Sequence, residues 1–431
     1  MNLPESVKKR KLEEKKPVQL QCQFFIAKKN RLCPLGRKKD AIYCPQHSVE
    51  SEERVPCPLD PKHTVLKKKL KDHLTKCNSK PKDIPDAWFD LDRNIRLLSS
   101  NEDAKSSEAK EATPQSDQPI QIRTSASLAR SIEILNKLSF TPLEVKKAHH
   151  EGLQSRLLEV SRQKHPIQQS SLIGNMKDVG LLGPENLYLE FGCGKAELSR
   201  FINVCVLHDL LPDTTVSSTY GFGLIDRGVN RMKNDARIRQ DCSERANPVS
   251  PVIKRTRIDI KDINLDKFIE DINPSDVVGV SKHLCGAATD LTLKLIINSN
   301  LTSSVFKGML IAMCCRHVCD YDQLLPESKQ YLSKHGFQTP ADFALLKRIV
   351  SWAVCGRRDH LEKEDKGNET THESALDYDT RERLGFIARR LIDESRVHAL
   401  KQLWPQYNIQ MFLYADKEIT LENVCLCVTK K

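Results

Sequence analysis

The chain has 431 residues, of which 39% are hydrophobic and 29% are charged, and its formal net charge is +11. No apolar run approaches the length of a membrane-spanning helix, and the polar first residues lack the apolar core of a signal peptide. We therefore expect an intracellular protein, nuclear and/or cytoplasmic, whose charge favours a polyanionic partner.

Residues 1–17 are predicted to form a basic, disordered tail. The run Lys8-Lys9-Arg10-Lys11 is typical of a nuclear-import signal and equally of a solvated tail. The chain also contains 15 cysteines. Because thiols stay reduced inside cells, we interpret them as metal ligands or small buried side chains rather than as disulfides.

Two short segments, 18–50 and 54–80, carry Cys and His at metal-ligand spacing, and each is too small to build a core alone. Their patterns are C-x10-C-x10-C-x2-H and C-x5-H-x9-H-x3-C, and both suit tetrahedral zinc. A lone His in a basic helix is usually only a solvated side chain, but here four ligand types recur twice in tandem. The predicted zinc ligands are Cys22, Cys33, Cys44 and His47, followed by Cys57, His63, His73 and Cys77.

Residues 81–126 are predicted to be a flexible linker and 127–431 a catalytic domain with a disordered insertion at 359–379. From Asn186 onward, strand-like runs alternate with helical stretches, which indicates an α/β fold with a parallel sheet. The runs IQMFLYA and NVCLCVT near the C-terminus predict an antiparallel hairpin.

The segment LEFGCGKAELSRF predicts a strand, a glycine-rich turn and a helix. Gly192 and Gly194 allow a sharp turn and close approach to a ligand, and Glu190 at the strand end can accept a hydrogen bond from the ammonium of a methionine moiety. The segment lacks the GKS/T ending of a phosphate-binding loop and the GxGxxG spacing of a nicotinamide site. A turn without function remains an alternative.

Acidic residues follow the next two strands. Asp226 is predicted to bind the ribose hydroxyls of S-adenosylmethionine, and Asp259 or Asp262 the adenine amino group. An acid after each of three consecutive strands favours a cofactor pocket over an ordinary turn.

Two later motifs follow the fourth and fifth predicted strands. SKHLCGAATDLTL contains Lys282 and His283, and AMCCRHVCDY contains His317 and Asp320. The cysteines of 314–319 are interpreted as packing residues rather than as a nucleophile.

Together with SLIGN, SWAVCG and LENVCL, these motifs make the sequence similar to the eukaryotic tRNA 2′-O-methyltransferases that modify nucleotide 4 of the acceptor stem. The resemblance covers nearly the whole chain. It implies a Rossmann-like S-adenosylmethionine-dependent methyltransferase domain preceded by two zinc-binding modules, with tRNA as partner and no obligate protein partner evident. Cys193 stands where Ala is common, and Arg316 where a second His is common.

The implied reaction needs a group that orients or deprotonates a ribose hydroxyl on C or A. Lys282 is the first candidate, with His283, His317 and Asp320 behind it, and a phosphate contact is the alternative role for Lys282. Two other classes of protein are alternatives: a noncatalytic zinc-finger RNA-binding adaptor that retains a methyltransferase-like fold, and a protein or DNA methyltransferase. The latter is disfavoured because the (D/N)PP(Y/F) tetrapeptide is absent.

Overall fold

The computed structural model describes residues 20–26, 31–33, 37, 40–44, 54–77, 86–98, 120–159, 164–211, 214, 216–230, 233–245, 248–353 and 376–431. The chain divides into two compact units, Met1–Asp83 and Ile84–Lys431. The predicted tail 1–17 and most of the predicted insertion 359–379 lie outside the described residues. Within the described part, no helix has the length and apolar character needed to cross a bilayer.

The first unit contains two small antiparallel hairpins and one short helix. Strands β1 (Phe25–Ile26) and β2 (Arg31–Leu32) form one hairpin, and β3 (Arg54–Cys57) and β4 (Asp60–Leu66) form the other, which is followed by helix α1 (Leu70–Lys76). The buried cluster of the first hairpin consists of cysteines and one partly buried tyrosine, which is too little apolar surface to stabilise a domain.

The second unit begins with three helices and then alternates strand and helix. The helices are α2 (Ile120–Lys137), α3 (Gln154–Glu159) and α4 (Lys164–Asp178). They are followed by β5 (Asn186–Phe191), α5 (Glu197–Asp209), β6 (Gly221–Asp226), α6 (Asp235–Ser243), β7 (Val252–Arg257), α7 (Leu265–Ile269), β8 (Asp276–Cys285), α8 (Ala287–Ile297), β9 (Phe306–Cys314), α9 (Pro326–Lys334), α10 (Pro340–Trp352), α11 (Tyr378–Leu403), β10 (Tyr407–Leu413) and β11 (Val424–Lys430).

These last strands form a seven-stranded sheet in the order β10-β11-β9-β8-β5-β6-β7. The strands from β9 to β7 are parallel, whereas β11 is antiparallel to both β9 and β10. The predicted parallel strands and the predicted C-terminal hairpin are therefore present. The chain moves outward from β5 in both directions, so the strand order reverses beside β5, where open α/β sheets form their ligand crevice.

Apolar clusters cover both faces of the sheet. All six residues of β5 are buried, which explains why this strand reads as a continuous apolar run instead of an alternating one. Glu190 is the acidic residue on this buried strand. It is the penultimate residue of β5 and therefore lies at the carboxyl edge of the sheet.

The predicted linker 81–126 needs correction at two places. Residues 86–98 belong to the second unit and pack against the rest of it. The Trp88 indole donates a hydrogen bond to Thr256 Oγ1 at 3.0 Å, and the Asn94 amide donates to the carbonyl oxygens of Ile260 and Ile263 at 2.8 Å. Helix α2 already begins at Ile120. Low hydrophobicity concealed these contacts because they depend on a few aromatic and amide side chains.

A buried ionic network joins the end of β9 to α11. It consists of three arginines and three carboxylates, namely Arg316, Arg389, Arg396, Asp290, Asp393 and Glu422. Arg316 donates two hydrogen bonds to Asp393, at 3.0 and 2.8 Å, and Arg396 donates two to Asp290, at 2.9 and 2.7 Å. The network fixes the turn that follows β9 against α11.

Candidate functional site

A cavity of about 510 Å³ lies at the carboxyl ends of β5 and β8, beside the reversal in strand order. It brings together five residues that the sequence predicted for the site, namely Glu190, Gly192, Gly194, Lys282 and His283. The other lining residues come from α4, α5 and the start of α6, and they include His165, Gln169, Lys195, Lys233, Asn234 and Arg237.

The glycine-rich turn presents backbone to the cavity. Gly192 and Gly194 have left-handed φ angles of 65° and 51°. A Cβ added at Gly194 would meet no atom within 4 Å, so this glycine faces open space rather than a packed neighbour. The turn thus leaves room at the position where a ligand can approach the main chain closely.

Two charged side chains, one on β6 and one on β7, form hydrogen bonds with this turn. Asp226 accepts a hydrogen bond from the Gly194 N–H at 2.7 Å, and Arg255 donates to the Gly194 carbonyl oxygen at 3.0 Å. Arg255 is itself fixed by a two-point ion pair with Asp235. Asp226, predicted as a ribose ligand, therefore supports the turn and is not among the described residues that line the cavity.

Glu190 is buried beneath the glycine-rich turn. Its Oε2 accepts hydrogen bonds from the Ser199 amide, at 3.1 Å, and from the Ser199 hydroxyl, whereas Oε1 accepts none from the described residues. Burial raises the pKa of Glu190 to about 7, against the opposing effect of Ser199. A cation bound in the cavity would favour the charged carboxylate and lower this pKa again.

Lys282 and His165 form the second polar pair of the cavity. The Lys282 Nζ lies 3.1 Å from the His165 Nδ1. Burial lowers the pKa of Lys282 to about 8, and the charge of Lys282, followed by burial, lowers the pKa of His165 below its ordinary value. A lysine with this pKa is partly neutral near physiological pH, so its nitrogen can accept a proton.

A β-bulge places Lys282 at the cavity. The register between β8 and β9 shifts between Lys282 and Leu284, and the extra residue, His283, has a left-handed φ of 72°. The His283 ring packs edge-on against the His165 ring, with 6.2 Å between the centroids. Bulges of this kind re-aim side chains at functional sites.

Two other predicted residues, Asp259 and Asp262, lie outside the described lining. Asp259 follows β7, accepts a hydrogen bond from the Lys261 N–H and lies 3.6 Å from Arg227. The alternative, Asp262, is buried and accepts a hydrogen bond from the Asp92 N–H. The Asp262 carboxylate thereby holds the segment 86–98.

The structure does not bring His317 and Asp320 to the cavity. The buried Arg316 anchors the turn after β9 to α11, and the described lining contains neither His317 nor Asp320. Asp320 is exposed and accepts a hydrogen bond from the Asp322 N–H. The ionic network therefore holds these two residues outside the described lining, and their catalytic role stays a prediction.

The first unit contains two clusters of ligand-type side chains. Cys22, Cys33 and Cys44 have sulfur atoms within 4.8 Å of one another, and the Cys33 and Cys44 sulfurs are 4.0 Å apart. The predicted fourth ligand, His47, lies outside the described residues.

The second cluster consists of Cys57, His73 and Cys77, and the two sulfurs are 3.8 Å apart. His63 lies on β4, and its side chain is outside the described part of the chain. Two sulfurs bound to one tetrahedral zinc are about 3.8 Å apart, so both clusters have the spacing that zinc requires.

Sequence reasoning missed His165, Gln169, Arg255 and Asp235. His165 and Lys282 are 117 positions apart, and no local pattern links them. Arg255 stands in the middle of a strand, which gives a weak signal, because a charged residue there needs a buried partner.

The sheet order and the cavity define the class: an α/β protein with a cavity where the strand order reverses. Residues 167–429 match the family "Methyltransferase TRM13", and the chain belongs to this methyltransferase family. Residues 20–48 match "CCCH zinc finger in TRM13 protein", and residues 54–78 match "U11-48K-like CHHC zinc finger". The family membership that the motifs indicated is confirmed.

Relatives cover nearly the whole chain. A protein of Scheffersomyces stipitis is 51% identical over 94% of this chain and 99% of its own length. A Debaryomyces hansenii protein is 51% identical over 98% of this chain and 94% of its own length. A Saccharomyces cerevisiae protein is 34% identical over 96% of this chain and 96% of its own length. All three are named tRNA:m(4)X modification enzyme TRM13. No solved structure matches the chain.

Proposed function

We propose that this protein transfers a methyl group from S-adenosylmethionine to the ribose 2′-hydroxyl of nucleotide 4, C or A, in the acceptor stem of tRNA. The observation that carries this proposal is the Lys282–His165 pair, which lies in the same cavity as the glycine-rich turn. The names of the relatives supply the substrate class and the position.

The cavity fits S-adenosylmethionine at two points. Glu190 has one carboxylate oxygen without a described hydrogen-bond donor, and burial disfavours its charge, so an α-ammonium group is a suitable partner. Gly194 offers backbone and open space for close approach of the ligand. A Rossmann-like methyltransferase fold with these two groups at β5 agrees with the observed sheet order.

The substitution Gly194→Ala is expected to weaken S-adenosylmethionine binding at least tenfold, because the new methyl group would occupy the open space at the turn. Isothermal titration calorimetry measures the affinity. The matched control is Gly180→Ala, which also has a left-handed φ, of 71°, and open space around the added Cβ, but follows α4 away from the cavity.

Both variants should lose a similar free energy of unfolding, about 1–2 kcal/mol, because each forces alanine into the left-handed region. Equal affinity of the two variants for S-adenosylmethionine would contradict the assignment of the cavity.

Bound S-adenosylmethionine supplies an electrophilic methyl group. The neutral Lys282 amine accepts the proton of the ribose hydroxyl, and the His165 ring, 3.1 Å away, orients that amine. The 2′-oxygen would then bond to the methyl carbon while the bond from that carbon to the sulfonium sulfur breaks, and S-adenosylhomocysteine would leave. Deprotonation matters because a ribose hydroxyl is a poor nucleophile at neutral pH.

The surface around the cavity suits an RNA backbone. Lys195, Lys233 and Arg237 are exposed and line the cavity, so phosphates of an acceptor stem can bind beside the reacting ribose. We also propose that each cluster of the first unit binds one Zn²⁺, which stabilises a segment too small for a core of its own. The three consecutive lysines before α1, Lys67, Lys68 and Lys69, then add positive charge for RNA binding.

The decisive experiment incubates the full-length protein with S-adenosylmethionine and an unmodified tRNA transcript. Mass spectrometry of nuclease fragments should find one 2′-O-methyl group at nucleotide 4. A transcript with a 2′-deoxyribose at that nucleotide alone is the matched control and should stay unmethylated. A methyl group on a base or at another nucleotide would overturn the proposal, and binding without methylation would favour the noncatalytic adaptor.

A further inference from the structure

A cluster of three thiols lies beside the cavity and has no role in the proposed reaction. Cys285 ends β8, Cys314 ends β9, and Cys315 follows directly. Their sulfur atoms lie within 4.8 Å of one another, and the Cys285 and Cys314 sulfurs are only 3.1 Å apart. Cys285 is exposed, whereas Cys314 is buried.

The bulge at His283 produces this contact. Beyond the bulge, Cys285 and Cys314 are direct partners in the register of two parallel strands. Neighbouring strands run about 4.8 Å apart, and disulfides span Cα–Cα distances of about 4.4–6.8 Å. The backbone of this pair is therefore compatible with a covalent link.

The number of ligands argues against a third zinc site, because the described residues offer three thiols here, whereas structural zinc takes four ligands. In the two clusters of the first unit, the sulfur–sulfur distances are 4.0 and 3.8 Å, near the value of about 3.8 Å for two ligands of tetrahedral zinc. At 3.1 Å, the Cys285 and Cys314 sulfurs are in closer contact than either of those two pairs. A disulfide bond is about 2.05 Å long, so its formation requires the two sulfurs to approach by about 1 Å.

The two thiols also differ in reactivity. The hydrogen bond with Cys314 lowers the pKa of Cys285 to about 6, against the opposing effect of burial. The same contact and burial raise the pKa of Cys314 well above its ordinary value. An exposed thiolate beside a protonated thiol is the arrangement of a redox-sensitive cysteine with its resolving partner.

We propose that Cys285 and Cys314 are a redox modification site, which forms a reversible disulfide when a peroxide oxidises Cys285. The Cys285 thiolate attacks one oxygen of hydrogen peroxide, an S–O bond forms, the O–O bond breaks, and hydroxide leaves. The sulfur of Cys314 then attacks the Cys285 sulfenic acid, loses its proton and forms the S–S bond while water leaves. The pair of thiols loses two electrons, and the peroxide gains them.

A disulfide between Cys285 and Cys314 should also affect the cavity. This effect on methyl transfer rests on the proposed function. Lys282 and His283 lie three and two residues before Cys285 on β8, so drawing Cys285 toward β9 displaces the lysine from its position near His165. A displacement of this size is costly for a positioned catalytic group. We expect the oxidised protein to methylate tRNA at least fivefold more slowly, and dithiothreitol to restore the rate.

The chemical test uses the full-length, zinc-loaded protein. After treatment with limiting hydrogen peroxide and alkylation of free thiols, trypsin releases peptides 283–294 and 308–316, and mass spectrometry should find them linked. Dithiothreitol should separate them. Cys315→Ser should retain the link, whereas Cys314→Ser should lose it although Cys315 remains in the peptide.

Three results would overturn the proposal: no linked peptides in the unaltered protein, a link that persists in Cys314→Ser, or a third equivalent of zinc that protects Cys285 from alkylation. Two zinc equivalents per chain are expected. The peptide measurement does not depend on methyl transfer. Linked peptides in a protein that methylates no tRNA when reduced would therefore sink the proposed function and leave the modification site standing.

Discussion

Replacing Lys282 with alanine is expected to slow methyl transfer about 10²–10⁴-fold, the usual contribution of a positioned general base. The affinity for S-adenosylmethionine should change little, because Glu190 and the glycine-rich turn stay in place. Single-turnover measurements with saturating tRNA separate the chemical step from binding. A loss of less than tenfold would contradict a role for Lys282 in proton transfer.

Arginine at the same position distinguishes the two roles that the sequence left open for Lys282. A guanidinium group keeps the positive charge but stays protonated at all working pH values. If Lys282 contacts a phosphate, Lys282→Arg should retain much of the activity. If it accepts the proton, Lys282→Arg should be nearly as slow as Lys282→Ala, and this is the result we expect.

The pH dependence gives a second measurement of the same role. Burial lowers the pKa of Lys282 to about 8, so the neutral amine becomes the main form only above that pH. The rate should therefore rise with pH and level off above about 8. A rate that falls over this range would mean that the charged ammonium is the active form, as expected for a phosphate contact.

The parts of the fold that depend on local sequence were predictable. The strand, glycine-rich turn and helix around Glu190, Gly192 and Gly194 follow from short-range chemistry, because only glycine enters the left-handed region at little cost. The alternation after Asn186 predicted the parallel strands, and the two runs near the C-terminus predicted the hairpin of β10 and β11.

The parts that depend on distant partners were not predictable. His165 reaches the cavity because α4 packs against α5 and β9, and Arg255 holds the turn because β7 lies two strands from β5. Both contacts require the completed sheet. The motif CCRHVCD was interpreted as a source of catalytic groups, but Arg316 points into the protein and fixes the rest of the motif.

Arg316 belongs to the predicted site motif but lies in the core. The sequence presented it as an arginine where a histidine is common, and therefore as a question about proton transfer. The structure places it at 0% exposure, with the 1% exposed Asp393 as its ion-pair partner. Its side chain also donates to the Met313 carbonyl oxygen at 2.7 Å, so it stabilises the end of β9.

Truncation of this side chain, Arg316→Ala, is expected to lower the free energy of unfolding by about 3–5 kcal/mol, because it removes the arginine that donates two hydrogen bonds to the buried Asp393. All three tryptophans, Trp88, Trp352 and Trp404, lie in the second unit, so tryptophan fluorescence during urea unfolding reports on that unit alone. Should the variant not fold, Arg316→Lys keeps the charge with fewer donors and should show a smaller, measurable loss.

Arg200 provides the matched control, because it also pairs with an aspartate through two hydrogen bonds, to Asp241 at 2.9 and 3.0 Å. The Arg200 and Asp241 side chains are 25% and 18% exposed, so water can solvate Asp241 after truncation. Arg200→Ala should cost about 1 kcal/mol or less. The difference between the two variants isolates the effect of burial on pairs with the same geometry. Equal losses of unfolding free energy in the two variants would contradict an effect of burial. They would mean that Arg396, which lies 3.3 Å from Asp393, neutralises this carboxylate alone.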